Sequence, residues 1–140
     1  MAYAVRCLAA IMALSTLTGC WDRDPPAQAG KPASGKPVTA SEFRHELVTL
    51  PLCGTPATDP FAGKPMCTVH FADGHLVVAG SGLVIRGYWQ FQGDAVCRRD
   101  EREPVEQERC VRYERLPNGR FRNSDGVVVC IGPCTDRGQG

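Results

Sequence analysis

The chain has 140 residues, of which 43% are apolar and 22% charged, so it is long enough for one compact domain and too short for two. Its 16 basic residues nearly balance its 15 acidic residues, which excludes the strongly basic proteins that bind nucleic acid through a long-range field. Eight cysteines are well above ordinary usage and indicate an oxidising compartment or bound metal.

The first segment, residues 1–20, has the parts of an export signal: one cation, Arg6, then an apolar run over 7–17. At about 1.5 Å per residue this run reaches roughly half of the ~30 Å hydrocarbon core. We therefore expect it to be cleaved rather than retained as a membrane span.

The run ends in Leu17-Thr18-Gly19-Cys20. An aliphatic residue, two small residues and a cysteine in this order resemble the lipobox of bacterial lipoproteins. The resemblance implies cleavage between Gly19 and Cys20, a diacylglyceryl thioether on the Cys20 sulfur and, in Gram-negative bacteria, a further acyl chain such as palmitate on the new amino terminus. Several acyl chains would hold the protein firmly, since each buried CH₂ contributes about 0.8 kcal/mol. The alternative is an ordinary secretory signal with an incidental cysteine.

The residue after Cys20 is Trp21, and Asp22 follows. In enteric lipoproteins an aspartate directly after the lipidated cysteine retains the protein at the inner membrane. The resemblance therefore favours the outer membrane of the bacterial envelope, at its periplasmic or outer face.

Residues 21–40 are rich in Pro, Ala, Gly and Lys and have no apolar period, which predicts a flexible linker with a reach of about 25 Å. The expected organisation is a lipoprotein signal peptide over 1–19, the lipidated cysteine and linker over 20–40, and a disulfide-stabilised β domain over 41–140.

Cleavage removes Cys7 and lipidation occupies Cys20, so the remaining cysteines are even in number. In an exported protein they predict three disulfides, for which fifteen connectivities exist. The favoured pairs are Cys97 with Cys110 across an Arg/Glu-rich loop, Cys53 with Cys67, and Cys130 with Cys134.

A short helix is predicted over 41–50, where Ser41 can cap it, Glu42 suits its positive end and Pro51 stops it. Its apolar face would carry Phe43, Leu47 and Leu50. The following segment, 52–65, is rich in turn-forming residues and is expected to be irregular.

Beyond residue 65 the apolar period changes to two and predicts six short strands. They cover 66–71, 75–79, 83–91, 109–116, 121–124 and 127–131. A two-residue turn at Asp73-Gly74 would set Phe71 opposite Leu76 and leave His70 and His75 on the outer face.

A turn at Gly93-Asp94 would set Phe91 opposite Val96. The position of Leu116 relative to Val111 and Tyr113 does not fit a regular strand, so we expect a bulge or a longer turn there. The fold class is mainly β: a small antiparallel meander or barrel with one short N-terminal helix and about three disulfides.

Two groups of residues suggest chemistry. His70, His75 and Asp73 are weak candidates for a metal site or an enzyme centre, although histidines on a strand face are more often plain polar surface. Cys130 and Cys134 resemble the redox motif of thioredoxin-like proteins, with one residue too many between the sulfurs and a strand in front, so a structural disulfide is favoured. No cofactor, metal or catalytic residue is expected.

The charged segment 98–122 mixes both signs and is typical of a solvated, self-paired surface, with a polar docking face for an envelope protein as the alternative. The sequence thus favours a membrane-anchored envelope lipoprotein that acts as a binding or structural module. The alternatives are an envelope enzyme or metal-binding protein, and a module similar in build to lysozyme inhibitors.

Overall fold

The computed structural model describes residues 35–135. The signal peptide, Cys20 and most of the predicted linker lie outside the described residues. Within 35–135 there are one helix, α1, and ten strands, β1 to β10. Their bounds are β1 Lys36–Pro37, α1 Ala40–Glu46, β2 Pro51–Gly54, β3 Met66–His70, β4 His75–Gly80, β5 Leu83–Gln92, β6 Ala95–Asp100, β7 Arg109–Val111, β8 Tyr113–Arg115, β9 Phe121–Asn123 and β10 Val128–Ile131.

The strands form one antiparallel sheet, curled into a half-barrel, in the order β1-β8-β9-β10-β2-β3-β4-β5-β6-β7. β7 is the last strand of this order and β8 lies next to its other end, yet only Arg112 separates them in sequence. One extended segment therefore connects the two ends of the sheet. The predicted fold class, mainly β with one helix and three disulfides, is confirmed.

None of the helices within residues 35–135 is both long enough and apolar enough to traverse a bilayer.

Helix α1 begins at Ala40, one residue earlier than predicted, and its cap lies two residues earlier. Its cap is Thr39, not Ser41: the Thr39 hydroxyl accepts from the Glu42 N–H, and the Glu42 carboxylate accepts from the Thr39 N–H. This reciprocal arrangement satisfies two otherwise free donors at the helix start. The helix ends at Glu46, so Leu50 falls outside it and is exposed rather than packed on the apolar face.

Phe43 and Leu47 of α1 close one end of the half-barrel and are almost fully buried. The Phe43 ring lies within 6.0 Å of Trp89, Phe91 and Tyr113, measured between ring centroids. Trp89 adds a hydrogen bond from its indole N–H to the Phe71 carbonyl at 2.8 Å. The aromatic residues and α1 thus form the packed core of the molecule at this end.

The β3–β4 hairpin differs from its predicted register by one residue. Its turn holds three residues, because the Gly74 N–H bonds to the Phe71 carbonyl and Gly74 then takes a φ of +90°. His70, not Phe71, is opposite Leu76. Since neighbouring side chains point to opposite faces, this shift turns His70 into the core and leaves Phe71 exposed, which corrects both predicted positions.

Three strands lie outside the six predicted ones. β6 follows the predicted turn at Gly93-Asp94, whereas β1 lies in the predicted linker and β2 in the segment expected to be irregular. β1 and β2 are both short and contain proline, so they lack an apolar period. The predicted strand 109–116 is interrupted at Arg112, and the turn over Pro117–Gly119 is longer than two residues, with Asn118 at a φ of 69°. Phe91 lies opposite Val96 as predicted.

Three disulfides join the pairs that the sequence favoured, Cys53–Cys67, Cys97–Cys110 and Cys130–Cys134. The first two connect residues directly opposite each other on neighbouring strands. Their positions alternate with inward residues, so they link β2 to β3 and β6 to β7 from the convex side.

Candidate functional site

The half-barrel is packed at the end that α1 covers and hollow at the other. A cavity of about 770 Å³ occupies the hollow end. The inward-facing residues of β5 pass from the cavity to the core along the strand: Ile85 lines the cavity, whereas Trp89 and Phe91 pack in the core. The same holds in β3, where Thr68 lines the cavity and His70 packs against Phe43.

The cavity walls are mainly apolar side chains from the concave face of the sheet. They come from seven strands and the loop before β10, because every second residue of a strand faces inward. These wall residues are Leu52, Met66, Leu76, Val78, Ile85, Val111, Tyr113, Val127 and Val129. The volume falls in the range of small-molecule sites, about 300–1,000 Å³, and apolar walls with few polar groups are typical of such sites.

Two arginines lie side by side on adjacent strands in the cavity wall. Arg98 on β6 is the direct register partner of Arg109 on β7, and both line the cavity. Among residues 35–135 neither side chain has a hydrogen bond or an ion pair. Like charges directly opposite each other on neighbouring strands are destabilising, so this pair concentrates positive charge on one part of the lining. The same lining also holds four carboxylates, those of Asp59, Asp100, Glu103 and Asp125.

Three other arginines near the sheet make side-chain contacts of their own. Arg102 pairs with Asp100 at 3.3 Å, and Arg115 pairs with Glu46. Arg99 stacks on the outward-facing Tyr88 ring, with its guanidinium carbon 4.8 Å from the ring centroid. Arg98 and Arg109 differ from these three in having neither an ion pair nor a ring contact within residues 35–135.

Uncharged polar groups complete the wall. The Tyr113 hydroxyl and the Thr68 hydroxyl line the cavity and have no hydrogen-bond partner within 35–135. Burial raises the pKa of Tyr113, and the nearby charge of Arg98 partly opposes that shift. Asn123 also lines the cavity, but its side-chain oxygen already accepts from the Val127 N–H.

His70 lies directly behind the cavity in the core. Its imidazole is fully buried and contacts the edges of Phe43 and Trp89, each at 5.3 Å between centroids. Neither ring nitrogen has a hydrogen-bond partner among the described residues. Burial, with a smaller contribution from Arg98, lowers the pKa of His70 to about 3, so the ring is neutral near neutral pH.

The predicted metal candidates do not meet in the fold. His75 is exposed at the hairpin, where its Nδ1 lies 3.1 Å from the Asp73 carboxylate, whereas His70 is buried on the opposite face. Of the described residues, Cys97, Glu108 and Cys110 bring ligand-type atoms together, but the two sulfurs form a disulfide and are not thiolates. Nothing in residues 35–135 thus favours a metal centre at these positions.

The mouth of the cavity is bordered by a loop and a hairpin tip. Phe61 and Pro60 of the 55–65 loop line it on one side. Leu83 and Val84 line it at the β4–β5 turn, where they are 41% and 67% exposed. The opening is therefore partly apolar, which suits the entry of an apolar ligand.

The predicted disulfides lie beside this site rather than in it. Cys97 follows Val96 and precedes Arg98, so its disulfide fixes the strands that carry both cavity arginines. Cys53 likewise lies between the inward residues Leu52 and Gly54. Cys134 is exposed, and its sulfur lies 3.3 Å from the Cys53 carbonyl oxygen.

Comparison of the chain with protein-family models, curated proteins and solved structures found no match. The site therefore has to be interpreted from its own geometry.

Sequence reasoning missed the cavity and its arginines. The mixed charges predict a solvated surface over 98–122, and Arg109 is indeed exposed, but both Arg98 and Arg109 line the cavity. The missed signal was available: Val96 faces inward once Phe91 is set opposite it, and Arg98 has the same parity as Val96.

Proposed function

We propose that the chain is a lipid-anchored binding module of the bacterial envelope, and that its half-barrel cavity holds a small ligand with an apolar body. The observation that carries the proposal is the open cavity of about 770 Å³ behind apolar walls. Protein interiors normally leave few voids larger than a water molecule, so a space of this size on the concave face needs an explanation.

Two pairs of neighbouring wall strands are cross-linked by disulfides. The Cys53–Cys67 and Cys97–Cys110 disulfides each join two wall strands on the convex side. A wall fixed before binding loses little conformational entropy when a ligand enters, which strengthens binding. This arrangement supports a preformed site.

The anchor is the second part of the proposal. It rests on Leu17-Thr18-Gly19-Cys20, which resembles a lipobox and lies outside the described residues. A ligand with a long apolar body is concentrated at membranes, so an anchored binding protein would meet it there. The proposed location is the outer membrane of the envelope.

A cavity-filling variant tests the site. Val78 points into the cavity, so Val78→Trp should occupy the space of a ligand, whereas Val77→Trp, the neighbour on the convex face, should not. We would titrate the full chain in zwitterionic phospholipid nanodiscs with 1-dodecanol, using empty nanodiscs as the baseline.

The expected result is saturable binding by the wild type and by Val77→Trp, and an affinity weaker by about tenfold or more for Val78→Trp. No saturable binding above the nanodisc baseline, or equal binding by both tryptophan variants, would contradict the proposed function.

A further inference from the structure

The cavity has a charge asymmetry that the proposed function does not use. Its apolar walls lie on strands β2 to β5, β7, β8 and β10, and Arg98 and Arg109 lie side by side on β6 and at the start of β7. A ligand that fits such a site needs an apolar part and an anionic part.

We infer that the cavity binds a single-chain amphiphile with an anionic oxyacid head, a fatty carboxylate or an alkyl phosphate, whose head group lies between Arg98 and Arg109. The inference rests on the proposed function and specifies its ligand class. Arginine suits this role because its planar fork donates two parallel hydrogen bonds to a carboxylate or a phosphate.

The arginine pair is unfavourable until an anion binds. The two residues are register partners on adjacent strands and share a face, so their charges repel across a short distance. Two carboxylates lie close to the pair along the chain, and within 35–135 both already have partners. Asp100, near Arg98, bonds to Arg102, and Glu108, directly before Arg109, accepts hydrogen bonds from Gln90 and Gln92. An entering anion would therefore relieve the repulsion without first breaking an ion pair of either arginine.

The surroundings add hydrogen-bond donors beside the charges. The Tyr113 hydroxyl lies in the same cavity, and the charge of Arg98 acts on this ring. It has no partner among the described residues, so it is available to the head group.

The alkyl chain would extend away from the arginines along the apolar wall. Ile85 lies on β5, the strand next to β6, and Leu76 and Val78 lie on β4 beyond it. The exposed Leu83 and Val84 border the mouth. Four carboxylates also line the cavity, and two of them already have partners: Asp100 bonds to Arg102, and Glu103 accepts from the Asp100 N–H. The other two are those of Asp59 and Asp125, and the charge of Asp125 acts on Tyr113 in the opposite sense to that of Arg98.

The test compares four amphiphiles that share one alkyl chain. The full chain in zwitterionic nanodiscs is titrated calorimetrically with dodecanoate, monododecyl phosphate, 1-dodecanol and dodecyltrimethylammonium, below their micelle concentrations and against empty nanodiscs. We expect at least one anion to bind about tenfold or more tighter than the alcohol, and the cation to bind weakest. The tighter anion identifies the source as a free fatty acid or a phosphate-bearing lipid.

Variants assign the preference to the arginines. Arg98→Gln and Arg109→Gln should each lower the ratio of the affinity for the anion to the affinity for 1-dodecanol, by about tenfold toward one. Arg86→Gln is the matched control, because Arg86 is exposed on the convex face of β5. Arg98→Lys keeps the charge but loses the fork, and should fall between the wild type and Arg98→Gln.

The outcomes separate the two claims. Equal affinity of all four amphiphiles, or an anion preference that survives both glutamine substitutions, would overturn the ligand class and leave the proposed binding site standing. Absence of binding by every amphiphile would overturn the proposed function itself. Near-ultraviolet circular dichroism of each variant shows whether the fold is retained.

Discussion

The His70 imidazole packs among aromatic rings. Neither of its nitrogens has a hydrogen-bond partner within residues 35–135. Burial there disfavours the charged form, and this lowers the pKa of His70 to about 3. In an unfolded chain the same group titrates near its ordinary pKa of 6.5. Between these values the unfolded state binds a proton that the folded state does not.

The stability of the fold should therefore fall as pH drops below 6.5, because the unfolded state gains protons first. One proton corresponds to about 1.4 kcal/mol of unfolding free energy per pH unit inside the window. Denaturant unfolding of the full chain between pH 6.5 and about 5.5 follows the histidine, because this window stays about one pH unit above the ordinary Glu pKa of 4.5.

His70→Phe should remove this slope, and His45→Gln, which changes an exposed histidine on α1, should retain it. An unchanged slope in His70→Phe would show that His70 is protonated in the folded state.

His70 also shows which inferences a sequence permits at the residue scale. Alternation places His70 correctly relative to Thr68, but the face of the whole strand depends on how many residues the turn holds. Asp-Gly turns occur with two or three residues, and a choice between them inverts every side chain of β3. Arg98 was predictable by parity, whereas the missing carboxylate partner was visible only in the fold.

At the scale of elements, α1 depends on the reciprocal bonds between Thr39 and Glu42. Backbone and side-chain hydrogen bonds from Thr39, together with Lys36, lower the pKa of Glu42 to about 2. The helix has only seven residues, so its first turn is a large part of it. The sequence Thr-x-x-Glu is a capping signal, and it was missed because the linker was extended to residue 40.

Thr39→Ala should lower the free energy of unfolding by about 1 kcal/mol, because it leaves helix donors without an acceptor. Ser41→Ala is the matched control and should change it by less than about 0.5 kcal/mol, since Ser41 is exposed inside the helix. Thermal or denaturant unfolding of both variants measures the difference. A larger loss in Ser41→Ala than in Thr39→Ala would contradict the assigned cap.

The disulfides are the elements that sequence reasoning placed best. Two of them close loops of 14 and 13 residues between neighbouring strands, so local spacing restricted their partners. β1 and β2 were not predicted, because strands of two and four residues that include proline carry too little apolar pattern to be recognised.

At the scale of the molecule, the half-barrel combines a filled end and an empty end. Phe43 and Leu47 fill the first, and the arginine-lined cavity occupies the second. The fold class was predictable from strand period and turns, whereas the cavity was not. Its volume depends on how far ten strands curl and on how deeply α1 enters, and neither quantity is encoded in a local pattern.

The proposed anchor gives a prediction for the whole chain in its cell. Cys20→Ala removes the only sulfur of the lipobox-like motif and with it the proposed acyl chains. We expect the wild type in the membrane fraction, with an intact mass that includes diacylglycerol and a further acyl group, and the variant without lipid. Ser41→Ala serves as the control for fractionation. A wild-type mass without lipid would contradict the anchor.

The claim on which the account depends is that an apolar chain enters the concave face of the half-barrel. Nuclear Overhauser contacts between the protons of bound dodecanoate and the methyl groups of the full chain in nanodiscs test it most directly. We expect contacts from the dodecanoate protons to the methyl groups of Leu76, Val78 and Val129 on the cavity wall. Contacts confined to convex-face methyls such as that of Val77, with none to these three, would contradict it.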